Sequence, residues 1–180
     1  MKSLILIIAT MTSITANSQI RVDSTFNAEK ISRTASFTAR ADVNQVFPLF
    51  GPYDERKWVH GWDPVPIFPK EEVLEEGVTF KTKGSFEPEY LWRIIRLDKS
   101  AHMVQYLVTT ANRQCSIKVK CKAQSTDNTA VTVTYAFTSL NQKGADYNRQ
   151  SLEKMYAQDL KDWEEAINYY LDTGKTMMSK

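Results

Sequence analysis

The chain has 180 residues, a length that one domain fills. With 42% hydrophobic, 24% charged and 11% aromatic residues it can bury a core, which excludes a disordered or low-complexity chain. Its net charge of +2 arises from basic residues interleaved with acidic ones, not from the concentrated basic face of a nucleic-acid binder.

Met1-Lys2-Ser3 is a short positive start, and residues 4–16 (LILIIATMTSITA) carry no charge. That run falls short of the ~20 residues that cross a bilayer as a helix. Ala16-Asn17-Ser18 offers small residues at the two positions a signal peptidase reads, so residues 1–18 are predicted to be a signal peptide cleaved before Gln19. A retained anchor is the competing reading. No Cys follows the run, which argues against a lipoprotein. The remaining chain is expected to be secreted or periplasmic and to carry no membrane span.

Residues 19–32 are polar and aperiodic and read as a loose lead-in. Ala35, Phe37 and Ala39 alternate with Ser36, Thr38 and Arg40, a first strand. Asp42 with Gln45 forms a capping-box-like start, and Val43, Val46, Phe47 and Phe50 follow at helical spacing. Pro48 interrupts that helix and Gly51-Pro52 restarts it, giving short helices over about 43–49 and 52–57. Residues 62–69 (WDPVPIFP) read as a proline-rich loop.

Extended runs follow over 78–83, 90–97, 103–110, 114–123 and 129–138. Their short connections imply an antiparallel meander. Val131, Val133, Tyr135 and Phe137 alternate with Thr132, Thr134 and Thr138, one dry face and one wet. Lys118, Lys120 and Lys122 fall on a wet face that resists edge pairing. Cys115 and Cys121 lie in a compartment where disulfides form. Six residues apart on one strand, however, their Cα atoms are about 20 Å from each other, and a disulfide needs under about 7 Å. Two buried free thiols are expected.

The chain is predicted to end in one long helix over about 145–172, closed by Gly174. Leu152, Tyr156, Trp163, Ile167 and Tyr170 form its apolar stripe, and Asp159 falls inside that stripe. A carboxylate there must be paired, hydrated or protonated. One reading makes Asp159 a polar anchor or general base; the other makes it a structural ion pair or a water-facing group. Arg56, His60, Arg93 and Arg113 are its candidate partners.

This order of elements resembles the helix-grip architecture of the START/Bet v1-like superfamily, the polyketide-cyclase and lipid-transport group labelled SRPBCC. The residues carrying the resemblance are Val46-Phe47-Pro48-Leu49-Phe50-Gly51-Pro52, Glu55, Trp58 and Gly61-Trp62-Asp63. Glu76-Gly77, Trp92 and Val131-Thr132-Val133-Thr134-Tyr135 support it, with residues 140–144 and Trp163-Glu164-Glu165-Ala166. It spans residues 33–173 and leaves 174–180 as a tail. The resemblance implies an α+β fold, a curved antiparallel sheet wrapped around the long helix with a cavity between them. Members bind hydrophobic small molecules there, and some cyclise or hydrolyse them.

No HExxH, paired-Cys or GxSxG pattern occurs, so neither a metal site nor a nucleophile is expected, and no cofactor. The favoured expectation is a binder or carrier of a hydrophobic small molecule (lipid, isoprenoid or polyketide-like). Trp58, His60, Trp62, Trp92, Tyr106, Tyr135, Tyr156, Asp159 and Trp163 are the candidate ligand contacts. Two alternatives stand beside it. One is a cyclase or hydrolase in which Asp159 works with His60 or an arginine. The other is a structural or partner-binding domain whose cavity is filled. Around the second short helix, Glu55 is expected to tie the loop down, Trp58 to be core, and Trp62 and His60 to be either gate or plug.

Overall fold

The computed structural model describes residues 25–84, 86–157 and 159–178. The predicted signal peptide therefore lies outside the described residues. Seven strands form one antiparallel sheet in the order β1-β7-β6-β5-β4-β3-β2. They are β1 (Lys30–Ala39), β2 (Val65–Phe68), β3 (Thr79–Lys83), β4 (Glu89–Asp98), β5 (Met103–Thr109), β6 (Arg113–Ala123) and β7 (Thr129–Ser139). Strands β3 to β7 are a meander, as their short connections dictate, and β1 closes against β7. The alternation in β7 and β6 carries into three dimensions. Val131, Val133, Tyr135 and Phe137 are buried, as are Cys115, Ile117, Val119 and Cys121. On the opposite face, hydroxyls of β1 and β7 pair across the strands, Thr34 with Thr134 and Ser36 with Thr132, each at 2.9 Å. The lysine row on β6 is exposed.

The cysteines are free and buried. Loss of water pushes both thiols up, Cys121 to about 12, so they pack as small apolar groups.

Three boundaries differ from the sequence reading. Strand β1 begins inside the expected lead-in, because Glu29 and Ser139 exchange backbone and side-chain hydrogen bonds that extend the pairing with β7. The proline-rich loop contains β2, an edge strand whose register shifts between Pro66 and Phe68; Pro66 is tolerated because an edge needs fewer ladder donors. The first helical region resolves into α1 (Val43–Val46), capped by Asp42, and two 3-10 turns, Phe47–Phe50 and Asp54–Lys57.

The largest correction concerns the chain's last third. The terminal helix is not continuous: α2 (Gln142–Met155) stops, and α3 (Lys161–Thr173) starts after a five-residue break. Asp159 and Leu160 both adopt positive φ, 47° and 60°. A left-handed residue without glycine costs about 1–2 kcal/mol. Leu160 is 1% exposed, and burying a leucine yields about 1.5–3 kcal/mol. The two left-handed residues together cost about 2–4 kcal/mol, so the burial of Leu160 offsets much of the backbone cost without exceeding it. Both helix segments still lie on the concave face of the sheet, and Gly174 closes α3 in the left-handed conformation.

Candidate functional site

Between the inner face of the sheet and the end of α2 lies a chamber of about 370 Å³. Its floor is Trp92, Val108, Cys115, Ile117, Tyr135 and Phe137, the inward residues of β4 to β7; Ser151 and Met155 of α2 cover it. Lys154 and Asp162 stand exposed at its rim, one on each side of the helix break. The break therefore shapes the mouth.

One end of this chamber is polar. Period-two alternation carries inward from Cys115 to Arg113, which is buried with its guanidinium facing Glu87 (Nε to Oε1, 3.4 Å). Arg113 donates to Ser151 Oγ at 2.8 Å and Tyr90 Oη at 3.1 Å. Glu87 in turn accepts from Thr110 Oγ1 at 2.6 Å and Asn112 Nδ2 at 2.8 Å. Four rings surround the guanidinium carbon at 5.3–5.8 Å, those of Phe86, Tyr90, Phe137 and Tyr147. An ion pair away from water persists only with this density of partners.

A second, inner chamber of about 110 Å³ shares Trp92, Ile117 and Tyr135 with the first. Its other walls include Glu55, Trp62, Tyr106 and Trp163. The aromatic walls are held by their polar handles. Trp62 Nε1 donates to Pro52 O at 2.7 Å, Trp92 Nε1 to Thr82 Oγ1 at 3.0 Å, and Tyr106 Oη to Phe50 O at 2.6 Å. Ring edges meet ring faces between Trp62 and Trp92 (5.4 Å) and between Trp163 and Tyr135 (6.3 Å).

Glu55 is the exception in this wall. In a 3-10 turn residues three apart share a face, and Pro52, Glu55 and Trp58 have that spacing; Pro52 and Trp58 are buried, so Glu55 is carried inward with them. Loss of water holds its carboxyl well above the ordinary carboxylate range, and among the described residues its side chain has neither a hydrogen-bond nor an ion-pair partner. The loop is tied by the backbone instead: Glu55 N donates to Gly51 O, and Glu55 O accepts from the amides of Trp58 and Val59. The expectation that the Glu55 side chain ties the loop is thus corrected.

Of the nine expected ligand contacts, Trp62, Trp92, Tyr106, Tyr135 and Trp163 stand on chamber walls. The other four do not. Trp58 is core: it is 2% exposed, donates to Leu49 O at 2.8 Å and meets Phe50 and Trp163 edge-on. Tyr156 turns its hydroxyl onto the sheet backbone, at Arg33 O and Val133 O. His60 is exposed outside both chambers. Asp159 is exposed in the helix break, because the stripe that would have buried it requires an unbroken helix. Its suggested partners are engaged elsewhere: Arg56 pairs with Glu72, and Arg113 with Glu87. The groups that sequence reasoning left out of the site are Glu55, Arg113, Glu87, Ser151, Phe86 and Met155. Among the described residues no three His, Cys, Asp or Glu are grouped to hold a metal ion. No helix among them is long and apolar enough to cross a membrane.

The sheet, the short helical turns and the terminal helices form an α+β helix-grip fold of the Bet v1 type. The chain is similar in structure to norcoclaurine synthase from Thalictrum flavum, in complex with dopamine and hydroxybenzaldehyde, with a TM-score of 0.62 at 10% identity over 97% of this chain and 100% of that one. It is similar to the di-domain ARO/CYC BexL from the BE-7585A biosynthetic pathway (TM-score 0.60, 12% identity, 79% of this chain and 48% of that one). It is also similar to Ara h 8.0201 (TM-score 0.57, 16% identity, 81% and 99%). No family model matches the sequence, and neither does any curated protein. At these identities the likeness is one of backbone, and it shows the fold.

Proposed function

We propose that this protein binds an apolar small molecule in the chamber between its sheet and α2, and that it does so as an exported protein. One observation carries the reading: the chamber holds about 370 Å³ of open space behind mainly apolar and aromatic walls. Small-molecule pockets occupy roughly 300–1,000 Å³, so side chains do not fill this fold's interior. The neighbouring norcoclaurine synthase is described with small aromatic molecules bound, which agrees in kind with these walls. A lipid, isoprenoid or polyketide-like compound fits the chemistry of the walls. The alternative built on Asp159 and His60 is less favoured, since both are exposed and neither lines the two chambers.

N-phenyl-1-naphthylamine, a neutral dye that is dark in water, is a suitable probe. It is expected to brighten and bind at micromolar concentration. Val108 faces the chamber from β5, and an aromatic residue suits a strand position. Val108→Phe is expected to weaken the dye at least tenfold while leaving the melting temperature unchanged or raised. Equal affinity in the variant, or no binding by the unaltered protein, contradicts this reading.

A further inference from the structure

The chamber reading leaves a question about the inner compartment: why a carboxyl stands there without a partner. Glu55 is half-buried, and holding an unpaired carboxyl even partly away from water costs free energy in its neutral form too. A side chain that only filled space would be apolar, and the turn that carries Glu55 is already held by its backbone. Tyr135 presents a parallel case. It lines both chambers, and its ring packs on Phe137, Tyr156 and Trp163, yet its hydroxyl has no hydrogen bond among the described residues. By contrast, the neighbouring Tyr106 hydroxyl is spent on Phe50 O. Two polar groups thus face one small aromatic compartment, each short of a partner.

The chemistry of the pair selects its complement. A carboxyl kept out of water retains its proton above the usual range and then acts as a donor. Tyrosine is a donor at any pH below about 10. Each group also carries lone pairs, but neither O–H has an acceptor among the described residues, so a neutral acceptor entering this apolar space satisfies both. A compartment of about 110 Å³ admits a group of a few heavy atoms and not a ring system.

We propose that Glu55 and Tyr135 form a subsite for a neutral carbonyl oxygen, so that the bound molecule is an apolar ketone, aldehyde or ester whose carbonyl enters the inner chamber while its hydrocarbon body fills the outer one. This rests on the chamber reading above and names the class of molecule that the chamber takes.

The test is competition against N-phenyl-1-naphthylamine by three molecules of one shape: 2-acetonaphthone, 2-ethylnaphthalene and 1-(2-naphthyl)ethylamine. A ketone is better hydrated than its hydrocarbon, so a merely greasy cavity prefers the hydrocarbon. The subsite is expected to reverse that order, with 2-acetonaphthone displacing the dye at about tenfold lower concentration. Glu55→Leu and Tyr135→Phe are each expected to reduce the preference to threefold or less, with displacement by 2-ethylnaphthalene held within about twofold. Glu55→Gln keeps a donor and is expected to retain most of the preference, which guards against a folding defect in the leucine variant. Equal displacement by ketone and hydrocarbon, a preference that survives both substitutions, or tighter binding of the cationic amine each overturns the carbonyl subsite and leaves the chamber reading intact. Failure of the dye to bind overturns the chamber reading itself.

Discussion

Arg113→Ala is expected to destabilise the protein by about 3–5 kcal/mol, read as a lowered urea midpoint at neutral pH. The size follows from what remains. Glu87 is as deeply buried as its partner, with side-chain exposures of 4% and 6%. Without the guanidinium its charge keeps only the hydrogen bonds from Thr110 and Asn112. Ser151 Oγ and Tyr90 Oη lose their donor, and four ring faces lose the cation that they surround. The double replacement Arg113→Met with Glu87→Leu is expected to cost less than the sum of the single ones, because it leaves no buried charge behind. A loss below about 1 kcal/mol for Arg113→Ala would show that the polar end of the chamber is open to water.

Gly144→Ala is the second large effect. Gly144 sits in the first turn of α2, where a Cβ would lie 2.0 Å from Asn112 O and 2.8 Å from its carbonyl carbon. Both are backbone atoms, so no rotamer change relieves the clash and the start of α2 must lift from the sheet. Alanine gains about 1 kcal/mol over glycine within a helix, and the forced separation is expected to exceed that, for a net loss of about 3 kcal/mol. Asn141 caps the same turn at Gly144 N and also holds Asn112, so the displacement reaches the loop that supports Glu87. Glu153→Ala, exposed on the same helix, is expected to stay within about 0.5 kcal/mol. Thermal unfolding of the two variants side by side measures the difference. Equal stability would mean that α2 is not held against the sheet as described.

The sheet was legible because its signals are local. Val131 to Phe137 and Cys115 to Cys121 alternate without interruption, and the turns between strands are short and polar. The position of Arg113 was legible too: it continues the Cys115 alternation by one more step, although a strand start placed at Gln114 hid it. Glu55 was harder. It was expected to tie the loop down, and only the three-residue spacing from Pro52 to Trp58 assigns it to the inward face. The helix break had no local signal at all. Neither glycine nor proline occurs between Ser151 and Leu171, and the left-handed turn at Asp159 and Leu160 is imposed by the core that receives Leu160. Asp159 was misplaced for that reason alone.

Methyl NMR of the valine, leucine and isoleucine side chains during titration with N-phenyl-1-naphthylamine tests the central claim most directly. Binding inside the fold is expected to shift Val59, Val108, Ile117 and Val119, the valine and isoleucine residues of the two chambers, and to leave the outside unchanged. The exposed apolar residues Val65, Ile67, Leu91 and Ile95 provide the contrast. Shifts confined to those four, with the chamber methyls unmoved, would place the ligand on the surface and contradict an internal site.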